Sequence, residues 1–261
     1  MRKPSWTWLT AGALLLAGWL YFTPPGLLGK ADAIAYAVCA RNPAHSPFFG
    51  SRQMPLCYRD TGMHLGALLT WLFLTWRAPR HGLFPRGTAR WGLGLLAAAF
   101  VLDGGNSFLH DLSGHTVLYP PNNVFRLFTG AGMGIVIGAL LYAAFHQTAW
   151  EQWKAQPALT IPRLVAAFVL VGAASALVLS GNPLLLYAIA LLTTGDVVFL
   201  LTLIYTLFGI GLRRRENTAH RWGDLTGALF AGWVVAMAQI ALLDALRFAA
   251  THTWGTFPLH R

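Results

Sequence analysis

Charge is what this 261-residue sequence has least of. Asp, Glu, Lys and Arg make up 11% of the chain, against roughly 25% in soluble domains. So few charges cannot clothe a solvated surface, and with 56% hydrophobic residues the lipid bilayer is the solvent the chain fits. Acids are scarcer than bases: nine Asp and Glu stand against nineteen Lys and Arg, a net charge of +10. That excess raises nucleic acid as a partner. The basic residues, however, sit in short connectors between apolar runs, with no basic stripe interleaved with aromatics, so no nucleic-acid partner is expected. No nucleophile–base set and no Gly-rich phosphate loop is legible, nor any internal repeat or low-complexity tract. A single membrane domain over 1–261 is the simplest organisation.

Apolar runs of spanning length predict an all-α, polytopic bundle of about seven transmembrane helices, at 6–23, 62–76, 88–103, 127–146, 163–180, 184–211 and 225–248. The first run resembles a signal peptide but is followed by "YFTPPGLLG" rather than a small-x-small cleavage site, so it reads as an uncleaved anchor. With seven crossings, Arg2 and Lys3, the Arg77/Arg80/Arg86/Arg90 connector, Lys154/Arg163 and Arg213/Arg214/Arg215/Arg221 all fall on one side. The positive-inside rule makes that side cytoplasmic, with the N-terminus inside and the C-terminus external. The expected location is a prokaryotic cytoplasmic (inner) membrane. Segments 24–61 and 104–126 then form an external loop layer, where ordered long loops tend to carry function. Small-xxx-small steps at Gly62/Gly66 and Gly130/Gly134/Gly138 predict close helix packing.

The loop layer contains "CARNPAHSPFFGSRQMPLCYRDTG", residues 39–62, with both cysteines of the chain. Cys39, Ser46, Phe48, Arg52, Gln53, Pro55, Cys57, Arg59, Thr61 and Gly62, followed by Asp103-Gly104 and Asn122/Asn123-x-x-Arg126, occur in an order that resembles a prokaryotic family of polytopic membrane proteins known as domain of unknown function 2085. The resemblance covers roughly 35–145 and implies no activity. The family pattern carries a Cys-His and a Cys-x-x-Cys, a set that looks like four metal ligands. Here Ala40 stands for its histidine and Asp60 for its last cysteine.

Three chemistries fit the cysteines. A Cys39–Cys57 disulfide, closing a separation of 18 residues, would stabilise by about 3 kcal/mol. A zinc-like ion could take Cys39, Cys57, Asp60 and His64, the last three spaced i, i+3, i+7 on one helical face, unless Asp60 instead caps the second span. Two free thiols could run thiol–disulfide exchange, with Arg52 and Arg59 lowering a thiol pKa.

Two further groups draw the eye. Asp103 and Arg126 should meet at the external interface as a clamp. Alternatively Arg52, Arg59 and Arg126, with Asp103, Asn122 and Asn123, form a pocket for an anionic ligand or headgroup. Asp196 falls near mid-membrane in "LLTTGDVVFLL", beside a possible helix break at Gly195, with Thr193, Thr194 and Gln239 as prospective hydrogen-bond partners.

The leading functional expectation is a non-catalytic binding or accessory membrane protein. Its two-cysteine loop would cap a polar pocket for a membrane-protein partner or an anionic ligand. A membrane enzyme with a metal or thiol centre, and a proton-coupled transporter using Asp196, are the alternatives.

Overall fold

The computed structural model describes residues 4–256. Arg2 and Lys3, used above for sidedness, lie outside the described residues. The helices are α1 (Trp6–Phe22), α2 (Leu27–Val38), α3 (Tyr58–Arg77), α4 (Thr88–Ser113), α5 (Asn123–Ala149), α6 (Ile161–Leu179), α7 (Pro183–Leu212) and α8 (Trp222–Thr251). The polytopic helical bundle expected from the sequence is present.

Five helices, α4 to α8, are long and apolar enough to cross a bilayer, and α1 with α2 adds a sixth candidate as a pair bent by 105°. The expected second span is α3, which has 20 residues but does not reach that apolarity. Its position explains the difference. α3 packs against α5, α6 and α7, so Thr61, His64 and Thr70 are buried against protein rather than lipid. An enclosed helix needs no continuous apolar surface.

The segment 24–61 is not simply loop. Pro24 and Pro25 end α1, and the alanine-rich stretch beyond them forms α2 with Ala31, Ala33 and Ala35 buried. The Lys30 ammonium reaches back to the carbonyl oxygens of Leu20 (2.5 Å) and Thr23 (3.0 Å), satisfying orphan acceptors at the end of α1. The third expected span also runs longer: α4 continues ten residues beyond 103, to Ser113. α7 passes through Gly195 without a break.

The centre of the bundle is the α3–α5 pair. Gly62 and Gly66 of α3 face Gly130, Gly134 and Gly138 of α5 closely enough that backbone meets backbone. A Cβ at Gly138 would stand 2.7 Å from the Ala67 carbonyl oxygen, and one at Gly134 would clash with the Met63 carbonyl. Trp71 fills the adjoining core between Tyr142, Phe145 and Phe199, with ring centroids 5.2–5.7 Å away.

The connectors sort to two ends. At one, β3 (His81–Leu83) pairs in parallel with β4 (Lys154–Pro157), and Arg80 donates to the His220 carbonyl oxygen. Arg213 and Arg215 line a cavity there with Pro4 and Ser5. At the other end lie the Cys39 loop, the 114–122 connector and the end of α8. Asn123 donates to Ala44 O (3.0 Å), and Arg41 to Trp254 O (3.1 Å). The arginine-dense connectors and the cysteine loop therefore occupy opposite ends of the molecule.

Candidate functional site

Cys39 follows α2 as its C-cap and Cys57 precedes α3 as its N-cap, so two helix ends bring the thiols together. Between them the chain makes a 3₁₀ turn (Pro43–His45) and a two-residue hairpin, β1 (Phe48–Phe49) against β2 (Arg52–Gln53). Gly50, at φ +64°, takes the left-handed position the turn needs. The polar motif residues hold this loop: the Gln53 amide donates to Ser46 Oγ and Arg41 O, both at 2.8 Å. Asp32 in α2 accepts from Arg41 (2.9 Å) and Arg52 (2.6 Å). Arg247 of α8 donates to the carbonyl oxygens of Tyr36, Cys39 and Ala40. Four elements thus fix the first thiol.

The ligand atoms of Cys39, Cys57 and Asp60 all lie within 4.8 Å of one another. Cys57 donates its thiol hydrogen to Asp60 Oδ2 at 3.2 Å, and Cys39 Sγ accepts from the Arg41 backbone N–H at 3.4 Å. Both cysteines are free, so the expected disulfide is not formed; each sulfur is engaged as a hydrogen-bonding group instead. The hydrogen bond with Cys39, burial and the Asp60 carboxylate hold the Cys57 thiol well above its usual range, and the arginines are committed to Asp32 and Asp103. Asp60 is not a cap: the helix begins at Tyr58, which puts Cys57 and Asp60 one turn apart, facing the same way.

The fourth expected ligand, His64, points elsewhere. Its Nδ1 lies 2.9 Å from Asp196 Oδ2, one helix deeper in the bundle. This also corrects the partners expected for Asp196. Thr193 and Thr194 bond back to the α7 carbonyl oxygens of Ile189 and Ala190, and Gln239 accepts from Tyr205. Among the described residues, Asp196 Oδ1 is buried without a hydrogen-bond partner.

Asp103 is 1% exposed and saturated with donors. Arg59 reaches it at 2.6 Å, Tyr119 at 2.8 Å and Thr129 at 3.1 Å, while Arg59 also donates to Ser107 Oγ (3.0 Å). The sequence paired Asp103 with Arg126, but Arg59, in the first turn of α3, takes that place. The three arginines of the expected anion pocket do not converge: Arg52 sits on Asp32 and Arg59 on Asp103. Arg126 is 4% exposed, Nη1 donates to Asn123 Oδ1 (3.1 Å), and among the described residues Nη2 has no hydrogen-bond partner. Asn122 caps α5 through the Val124 N–H. His45 stands in the field of Arg126 and Arg59, and burial with those charges lowers its pKa.

Asp32, Arg41, Tyr119, Thr129 and Arg247 were not singled out for the site by sequence reasoning. Asp32 carried one signal, an acid inside the alanine-rich run 31–37; the others become visible only once the helices are in contact.

These features define a polytopic helical membrane protein with a polar, two-thiol cap at one end. Residues 39–141 match the family described as Predicted membrane protein (DUF2085). The matched segment starts at Cys39 and ends inside α5, so it contains the thiols, Asp60, Asp103 and Arg126 and excludes Asp196. No curated protein and no solved structure matches the chain.

Proposed function

We propose that this is a non-catalytic metal-binding protein of the prokaryotic cytoplasmic membrane, with the cysteine loop on the external face. The observation that carries this reading is the convergence of two thiols and one carboxylate, from two helix ends, within 4.8 Å. Ligands around one tetrahedral zinc-like ion need that proximity, with Zn–S distances of about 2.3 Å and Zn–O of about 2.0–2.2 Å. Two sulfurs and one oxygen leave a fourth position for water or for a ligand carried by a partner. Sulfur with carboxylate favours zinc or another borderline ion over magnesium or calcium. The sidedness rests on the arginine-dense connectors, which the positive-inside rule assigns to the cytoplasm. Elemental analysis of full-length protein purified without chelator tests the proposal. About one zinc-like ion per chain, lost in Cys39→Ser and Cys57→Ser, is expected; sub-stoichiometric metal unaffected by either substitution contradicts it.

A second reading is favoured by Arg126. A buried guanidinium nitrogen without a partner suits one oxygen of an anionic ligand or headgroup beside the cap. Arg126→Gln should then lower binding of inorganic phosphate measured by calorimetry, whereas Arg52→Gln, far from that nitrogen in its bonding, should not.

A further inference from the structure

Asp244 is a carboxylate in an apolar wall. It lies near the end of α8 that meets the cysteine loop, is 3% exposed, and lines a cavity of about 550 Å³ between α1 and α8. Leu14, Leu15, Phe22 and Phe248 supply much of the remaining wall. Leu14 and Phe22 are exposed on the outside of the bundle, so the cavity opens sideways, toward lipid.

The two carboxylate oxygens are treated differently. Oδ2 accepts from the Trp19 indole N–H at 2.9 Å. Among the described residues Oδ1 is buried and has no hydrogen-bond partner. Arg247, three residues on, donates to the carbonyls that hold the Cys39 loop and contributes its charge to the field at Asp244. A buried acceptor left without a donor is costly, more so when it is charged, and native structures rarely leave one unexplained. The missing group must donate a hydrogen bond and bring an apolar tail that fits the cavity; a positive charge on it would add to that of Arg247 in offsetting the carboxylate.

We propose that the α1–α8 cavity binds a phospholipid with a primary-amine headgroup, its ammonium N–H donating to Asp244 Oδ1 and an acyl chain lying against Leu14, Leu15, Phe22 and Phe248. A quaternary ammonium has the charge but no N–H. An anionic headgroup is repelled. A fatty alcohol has the donor but no charge.

The test uses full-length protein and native mass spectrometry from micelles containing equimolar dioleoyl phosphatidylethanolamine and dioleoyl phosphatidylcholine. The two lipids share tails and net charge and differ in the N–H donors. The wild type should retain the ethanolamine lipid at least about tenfold over the choline lipid, the ratio expected of one charge-assisted hydrogen bond. Asp244→Asn keeps an acceptor for Trp19 but loses the charge, and should bring the ratio to about one. Ala241→Trp, on the cavity wall, should lower retention of both lipids. Equal retention by the wild type, a preference for phosphatidylglycerol, or an unchanged ratio in a folded Asp244→Asn protein overturns the proposal. Should Asp244→Asn not fold, full retention of the ethanolamine lipid by Ala241→Trp overturns it.

Discussion

His64 of α3 and Asp196 of α7 meet at 2.9 Å with both side chains almost wholly buried, joining the cap-bearing helix to one of the two 30-residue apolar helices of the bundle. Removing one partner strands the other in a buried site. Asp196→Ala should therefore lower stability by about 1–3 kcal/mol, while Asp196→Asn, which keeps a hydrogen-bond acceptor, should lose much less. Unfolding in mixed micelles titrated with SDS checks this, and a double-mutant cycle with His64→Ala should give a coupling of the order of the single loss.

The glycines of the bundle are predicted to divide sharply. Gly138 faces the α3 backbone, and a methyl group there must push the helices apart. Gly138→Ala should cost about 1–3 kcal/mol. Nothing lies within 4 Å of a Cβ at Gly195, inside an unbroken helix. Gly195→Ala should stabilise by about 0.5–1 kcal/mol, because alanine loses less backbone freedom. The same unfolding measurement separates the two.

Asp103 collects hydrogen bonds from α3, α5 and the 114–122 connector, so it ties the cap to the bundle. Asp103→Ala leaves Arg59 without its counter-charge and should destabilise by about 3–5 kcal/mol. Limited proteolysis should then cut the 114–122 connector faster than in the wild type, whose Tyr119 is anchored to this carboxylate.

The cap should weaken in acid. Burial and the nearby Arg126 lower the His45 pKa in the folded protein, below its unfolded value of about 6.5. The unfolded chain then binds more protons in that interval, so stability is present above about pH 6.5 and is lost as pH falls below it. His45→Gln should flatten this part of the stability–pH curve measured by thermal unfolding.

Much of the bundle was legible in the sequence because lipid-facing helices must be apolar, and α4 to α8 announce themselves by length. α3 and α2 were harder for opposite reasons. α3 is enclosed by protein and tolerates Thr61, His64 and Thr70, which weakens its apolar signal. α2 is short and carries Lys30 and Asp32, which read as loop until their partners at the end of α1 and on Arg41 and Arg52 are seen. In the site, Cys39, Cys57 and Asp60 lie within 4.8 Å of one another, as the metal reading requires. His64 did not join them, since i, i+7 spacing fixes a face but not which neighbour a side chain prefers, and Asp196 lies on a helix 132 positions away in sequence. Arg59 rather than Arg126 met Asp103 because helix depth, which periodicity does not encode, decides which arginine is level with the acid.

X-ray absorption fine structure at the zinc edge of the metal-loaded protein tests the central claim most directly. Two sulfur neighbours at about 2.3 Å with nitrogen or oxygen neighbours at about 2.0–2.2 Å are predicted, falling to one sulfur in Cys57→Ser. A shell of oxygen and nitrogen alone in the wild type would contradict a metal centre at Cys39, Cys57 and Asp60.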